Sequence, residues 1–76
     1  MNYKATYQDK ETTVTEYQLR TLKTNFLVDL LNEKELYLGS GHEESILCWP
    51  SDTEAVLKCV PYYGAPTQTV YFELIR

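Results

Sequence analysis

Few residues in this chain have the type and spacing to do chemistry. His42 is the only histidine, which excludes a metal site built on two or three imidazoles. Cys48 and Cys59 have ten residues between them, too many for a CxxC redox pair, and together with His42 they match no zinc-ligand spacing. Cys48 follows Leu47 in an apolar, strand-like run, with only the single histidine to activate it, so a Cys–His nucleophile pair is not expected. Glu43 and Glu44 are adjacent carboxylates, but successive residues of a strand point to opposite faces and cannot share one reacting atom. Gly39-Ser40-Gly41 has the glycines of a phosphate cradle; no Gly-Lys-Ser/Thr pattern follows, two acids do, and the segment reads as a turn. The expectation is a protein without a catalytic site, a metal or a cofactor.

Size points the same way. Seventy-six residues make one domain, 1–76, and a chain this short buries only about 60% of the surface its unfolded form exposes, so a deep active site would compete with the core for side chains. The hydrophobic fraction of 43% is nonetheless that of a folding chain. Seven basic against eleven acidic residues give a net charge of −4, which argues against direct nucleic-acid binding, since counterion release needs clustered Lys and Arg.

The acid is unevenly placed. Residues 1–28 and 55–76 each carry a net +1, whereas residues 29–54 set Asp29, Glu33, Glu35, Glu43, Glu44, Asp52 and Glu54 against Lys34 alone, a net −6. Such a segment is either a solvated face that keeps a small protein soluble or an anionic surface that attracts a basic groove on a partner. The N-terminus lacks the basic start and apolar run of a signal peptide, and no stretch approaches the ~18 apolar residues of a membrane span. A cytoplasmic protein that does not engage membranes is expected, with both cysteines as buried thiols.

The elements that would position these residues follow from periodicity. Tyr3, Ala5 and Tyr7 alternate with polar residues as in a half-buried strand, and Asp9-Lys10-Glu11 reads as a turn. Thr12 to Thr15 is either a second strand or the lead into a helix. Leu19, Leu22, Phe26, Leu30 and Glu33 step by three and four, with Leu27 and Leu31 widening the stripe, which predicts one amphipathic helix over Glu16 to Glu33. Its capping box is Thr15 with Gln18 or Thr13 with Glu16. Glu35 to Leu38 reads as a strand that turns at Gly39-Ser40-Gly41 into a second strand from Glu43 to Trp49, ended by Pro50. Ser51 to Lys58 is open between a hairpin loop and a capped short helix. In a hairpin centred between Thr53 and Glu54, Cys48 would face Cys59. Pro61, Gly64 and Pro66 mark a loop, with Tyr62 and Tyr63 as its expected exposed aromatics, and Thr67 to Ile75 closes as a strand with Val70, Phe72 and Leu74 on one face.

One segment carries a resemblance. Glu44-Ser45-Ile46-Leu47, followed after two residues by Pro50, resembles the Glu-Ser-Ile-Leu-x-x-Pro segment of the phage uracil-DNA glycosylase inhibitor family. That family lays an exposed edge strand into the DNA-binding groove of the enzyme, and an adjoining apolar pocket captures the leucine the enzyme would insert into DNA. The resemblance implies that Glu44 and Ser45 take the place of backbone phosphates and that Ile46 and Leu47 anchor the strand. It further implies that Ser51 to Lys58 is a helix and that Val56 and Leu57 contribute to the pocket.

The expected fold is α+β, one amphipathic helix packed on a four- to five-stranded antiparallel sheet. The expected function is a small acidic DNA mimic that binds and inhibits a nucleic-acid-acting enzyme through Glu43, Glu44, Ser45, Ile46, Leu47, Asp52 and Glu54, with Tyr62 and Tyr63 in the contact surface. Two alternatives stand beside it: another phage or mobile-element interaction module, such as an anti-defence or immunity protein, and a homo-oligomer in which the acid only solubilises.

Overall fold

The computed structural model describes the backbone of residues 1–38, 42–64 and 66–76, and their side chains except those of His42, Glu43 and Tyr63. Two strands, β1 (Asn2–Tyr7) and β2 (Lys10–Thr15), form a hairpin and lead into two helices, α1 (Glu16–Thr21) and α2 (Thr24–Glu33). A second hairpin, β3 (His42–Ser51) with β4 (Glu54–Pro61), is followed by a 3-10 turn over Tyr62–Gly64 and by β5 (Gln68–Leu74). All neighbouring strands are antiparallel, in the order β2-β1-β5-β4-β3. The last strand is thus the centre of the sheet, the two hairpins flank it, and the helices carry the chain from one edge to the other. This is the α+β architecture expected, with helix packed on antiparallel sheet.

The first hairpin turns more tightly than expected. Tyr7 pairs with Lys10, leaving Gln8 and Asp9 as a two-residue turn, and Gln8 takes the positive φ of 55° that such turns need at one central position. Lys10 and Glu11 belong to β2, and Thr12 to Thr15 is strand. Thr15 also caps α1: its hydroxyl accepts from the Gln18 amide at 3.1 Å, and the Gln18 side chain accepts from the Thr15 amide at 3.0 Å. Of the two expected capping boxes, the one formed is Thr15 with Gln18.

The single helix expected over Glu16 to Glu33 is two. Leu22 and Lys23 adopt extended ψ angles of 138° and 152°, which shifts the phase of everything after them. A continuous helix would bury Phe26 and Leu30 below Leu19; instead Leu27, Val28 and Leu31 are buried and Phe26 is 59% exposed. The sequence holds two overlapping apolar stripes, and the break selects the second. No Pro or Gly marks it.

The strand expected at Glu35 to Leu38 does not form. After α2 the chain reverses through Glu35, whose φ of 69° is left-handed, and the Leu36 amide bonds back to the Leu31 carbonyl at 3.1 Å, the closing pattern of a helix C-terminus. The Asn32 side chain then accepts from the Leu38 amide at 2.6 Å. Leu36 and Leu38 enter the core without a ladder, while Tyr37 between them is exposed. The turn assigned to Gly39-Ser40-Gly41 lies outside the described residues.

One face of the sheet meets the helices. Tyr3 and Ala5 of β1, Val14 of β2, Ala55, Leu57 and Cys59 of β4, and Val70 and Phe72 of β5 form a continuous core with Leu19, Leu27, Val28, Leu31, Leu36 and Leu38. Strand alternation sends their neighbours to the other side, where no element among the described residues covers them.

Candidate protein-binding edge

β3 pairs with β4 on one side and, among the described residues, has no strand on the other. Its side chains alternate strictly: Glu44, Ile46, Cys48 and Pro50 are exposed, and Ser45, Leu47 and Trp49 are half-buried toward the core. Pro50 does not end the strand, which runs on to Ser51 through a register shift between Cys48 and Ser51. A proline is tolerated there because an edge strand needs no amide on its outer side, and the irregularity itself discourages further pairing.

The register decides several expectations. Ser45 pairs with Cys59, Ile46 with Lys58, Leu47 with Leu57, Cys48 with Val56, and Ser51 with Glu54. Ser51 to Lys58 is therefore a hairpin with Asp52 and Thr53 at its turn, and the helix implied by the resemblance is absent. Cys48 does not face Cys59. Cys59 is fully buried and Cys48 exposed, so the expectation of two buried thiols is corrected for Cys48, because the register shift puts the two cysteines on opposite faces. Burial pushes the Cys59 thiol up from its ordinary value, and a hydrogen bond with Ser45 partly opposes this. Val56 and Leu57 point to opposite sides of β4, as successive strand residues must, and cannot line one pocket.

Of the expected contact residues, Glu44, Asp52, Glu54 and Tyr62 are exposed. Leu47 packs against the core as an anchor, whereas Ile46 is 42% exposed on the outer face. The Glu43 and Tyr63 side chains lie outside the described residues. The acids of the −6 segment do not form one row: Asp29 and Glu33 sit on α2 and Glu35 just after it, Glu44 is at one end of the β3–β4 hairpin, and Asp52 and Glu54 are at the other. Seven residues lie between Glu44 and Asp52 along the chain, about 26 Å of strand.

The turn end is held by a cluster that the sequence reading missed. Tyr3 meets Trp49 edge-on, with ring centroids 5.8 Å apart, and the Arg20 guanidinium stacks 4.1 Å from the Trp49 ring. Arg20 donates to the Tyr3 hydroxyl and to the Asp52 carbonyl, both at 3.4 Å, and to Glu16 at 3.1 Å. The Tyr3 and Glu16 contacts, in that order, raise the Arg20 pKa, so it stays a cation. One helical arginine thereby joins α1, β1 and the β3–β4 turn. Its only sequence signal was the i, i+4 spacing from Glu16.

The uncovered face of the sheet is the second surface missed. Tyr71 is 60% exposed at its centre, between Thr6 of β1 and Val56 of β4, and Cys48 continues the row. Lys4, Glu73 and Glu54 make a neighbouring row, and Thr69, Lys58 and Ile46 the one on its other side. At one end of the sheet Tyr7, Gln8, Pro61, Pro66, Thr67, Gln68 and Thr69 border an open cleft of about 460 Å³. Among the described residues no three His, Cys, Asp or Glu side chains gather into a group that could hold a metal, and no helix is long and apolar enough to cross a membrane.

Comparisons with known proteins add no relative: no family model, no curated protein and no solved structure matches the chain.

Proposed function

We propose that the protein is a non-enzymatic inhibitor that binds a nucleic-acid-acting enzyme, laying the free β3 edge against a basic groove. The observation that carries this reading is the position of β3: the outer strand of the sheet, with no strand on its far side among the described residues, Glu44 exposed on it and Asp52 at its turn. Backbone donors and acceptors of the regular part of β3, Glu44 to Cys48, give an incoming surface affinity, and the net charge of −4 steers it toward positive partners. The resemblance of Glu44 to Pro50 makes uracil-DNA glycosylase the first target to test. Two thiols without a bridge suit a reducing cytoplasm, that of the host if the chain is phage-encoded.

The experiment has two arms. The protein is titrated into a uracil-excision assay, where undiminished excision at large excess removes that target. Affinity capture from a bacterial lysate then identifies whichever enzyme binds, and Glu44→Lys is compared with Glu33→Lys, an exposed acid on α2. Glu44→Lys should weaken binding by about tenfold or more, equivalent to about 1.4 kcal/mol, and Glu33→Lys by little. Equal losses would remove β3 from the interface. Association should slow as salt rises, since steering is screened over about 8 Å at physiological ionic strength.

Exposed Tyr62 and Tyr71 favour a second reading, an anti-defence or immunity module that binds its partner through aromatic contacts. Salt-independent association and loss of binding on Tyr71→Ala would select it.

A further inference from the structure

The uncovered face carries charges without ion pairs among the described residues. Glu54 and Glu73 are directly opposed on β4 and β5 and point to the same side, an arrangement that costs free energy. Lys4 stands opposite Glu73 on β1, yet neither carboxylate has an ion-pair partner among the described residues, and neither does Lys58. Glu54, Val56 and Lys58 occupy alternate positions of β4, so a carboxylate and an ammonium stand about 13 Å apart on either side of an apolar residue. Val56 in turn lies in the row Thr6, Tyr71, Val56, Cys48 that crosses the sheet.

A two-fold axis along that row, lying between two copies, would turn the strands of the second copy end for end against the first. Tyr71 then meets Tyr71 and Val56 meets Val56, while Glu54 of each copy meets Lys58 of the other. The charge pattern of β4 is its own complement under this operation, which is what an isologous interface requires. We propose that two copies of the chain associate face to face through the uncovered side of the sheet, with Tyr71 and Val56 at the centre and two Glu54–Lys58 pairs beside them.

The dimensions suit this occupant. Five strands about 4.8 Å apart and about 20 Å long present about 500 Å² per copy, so the pair removes about 1,000 Å² from water before side-chain relief is counted, the lower bound of a specific interface. Sheets pack about 10 Å apart, a gap that glutamate and lysine side chains span together. Like charges meet only at the margins, where Glu11 on β2 faces itself and Glu44 approaches the Asp52 turn of the second copy. That repulsion is solvent-screened, whereas the Glu54–Lys58 pairs lie one strand further in. The operation leaves β3 an edge in both copies and brings Glu44 of one toward Asp52 of the other, so acids that a single copy holds about 26 Å apart would stand together on the doubled edge.

Charge-reversal variants test the geometry. By light scattering the wild-type protein should have twice the 8.9 kDa mass of one chain. Glu54→Lys alone and Lys58→Glu alone should each weaken self-association by at least about tenfold, because each sets like charges against one another twice. Mixed in equal amounts, the two variants should dimerise again: the introduced lysine of one meets the introduced glutamate of the other, and the remaining pair is the native one. Circular dichroism of each variant checks that these exposed substitutions leave the fold intact. A wild-type monomer at all concentrations, single variants that still dimerise, or a mixture that stays monomeric would each overturn the proposal. Glu44→Lys, which lies outside the pairs, should lose the enzyme partner while keeping the dimer mass, so the two proposals fail separately.

Discussion

The two faces of the sheet are made by the same strands yet obey different rules. On β4, Ala55, Leu57 and Cys59 point inward and are almost entirely buried, while Glu54, Val56 and Lys58 point outward from alternate positions of the same eight residues. Inward positions are chosen by volume and apolarity, because they close against Leu19, Leu27 and Leu31. Outward positions are free of that demand, and Val56 between Tyr71 and Cys48 answers to strand propensity and to whatever meets the face. The contrast separates residues that make the domain from residues available to a partner.

The sharpest way to break the contrast is to truncate neighbours on opposite sides. Leu57→Ala removes a side chain with no exposure and should cost about 2–5 kcal/mol, the lost transfer plus the cavity left behind. Val56→Ala in the isolated monomer should cost less than about 1 kcal/mol, as expected of a half-exposed position. Urea unfolding curves compare the two. Similar losses would mean that the outer face is covered within one chain and would dissolve the distinction.

A smaller effect is expected where the sheet hands over to the helices. Thr15 ends β2 and caps α1 through the reciprocal bonds with Gln18, so Thr15→Ala should cost about 1 kcal/mol. Thr13 is exposed on β2, and Thr13→Ala should change the urea midpoint much less. The reverse ranking would show that the helix starts two residues earlier in solution.

Legibility of the fold in the sequence follows the same division. Alternation over Tyr3, Ala5, Tyr7 and over Val70, Phe72, Leu74 located the inward face of β1 and β5, because burial on one side of a strand leaves a period of two. The start of α1 was legible to within two residues, as a capping box at Thr15 with Gln18 or at Thr13 with Glu16, because capping chemistry is local. What was not legible depended on contacts made elsewhere. The break at Leu22 and Lys23 answers to which leucines reach the core, and the loop at Glu35 to Leu38 answers to Asn32 holding the Leu38 amide and to the burial of Leu36 and Leu38. The hairpin register, which the sequence left three units off at the Cys48 position, is set by the short Asp52–Thr53 turn and the irregularity before Ser51. At the candidate site, the strand that carries Glu44 was legible as the run from Glu43 to Trp49. The Arg20–Trp49 contact and the row of Thr6, Tyr71, Val56 and Cys48 were not, because both join residues far apart in the chain.

The two cysteines offer the finest comparison of the faces, since the chemistry is the same and only the side differs. Cys48 is exposed and Cys59 fully buried, so a thiol reagent added in slight excess to the folded protein should give one adduct by mass, at Cys48. The second should appear only in denaturant. Burial raises the Cys59 thiol above its ordinary value, meaning that the fold favours the neutral form. The stability this contributes is fully present below the thiol's unfolded value. It declines as the unfolded chain begins to ionise and is lost as pH rises through the folded value. Wild-type urea midpoints should therefore fall more steeply into the alkaline range than those of Cys59→Ala, even though the variant is less stable at neutral pH. Parallel curves would show that the thiol on the inner face is hydrated, and with that the difference between the two sides of the sheet would lose its simplest probe.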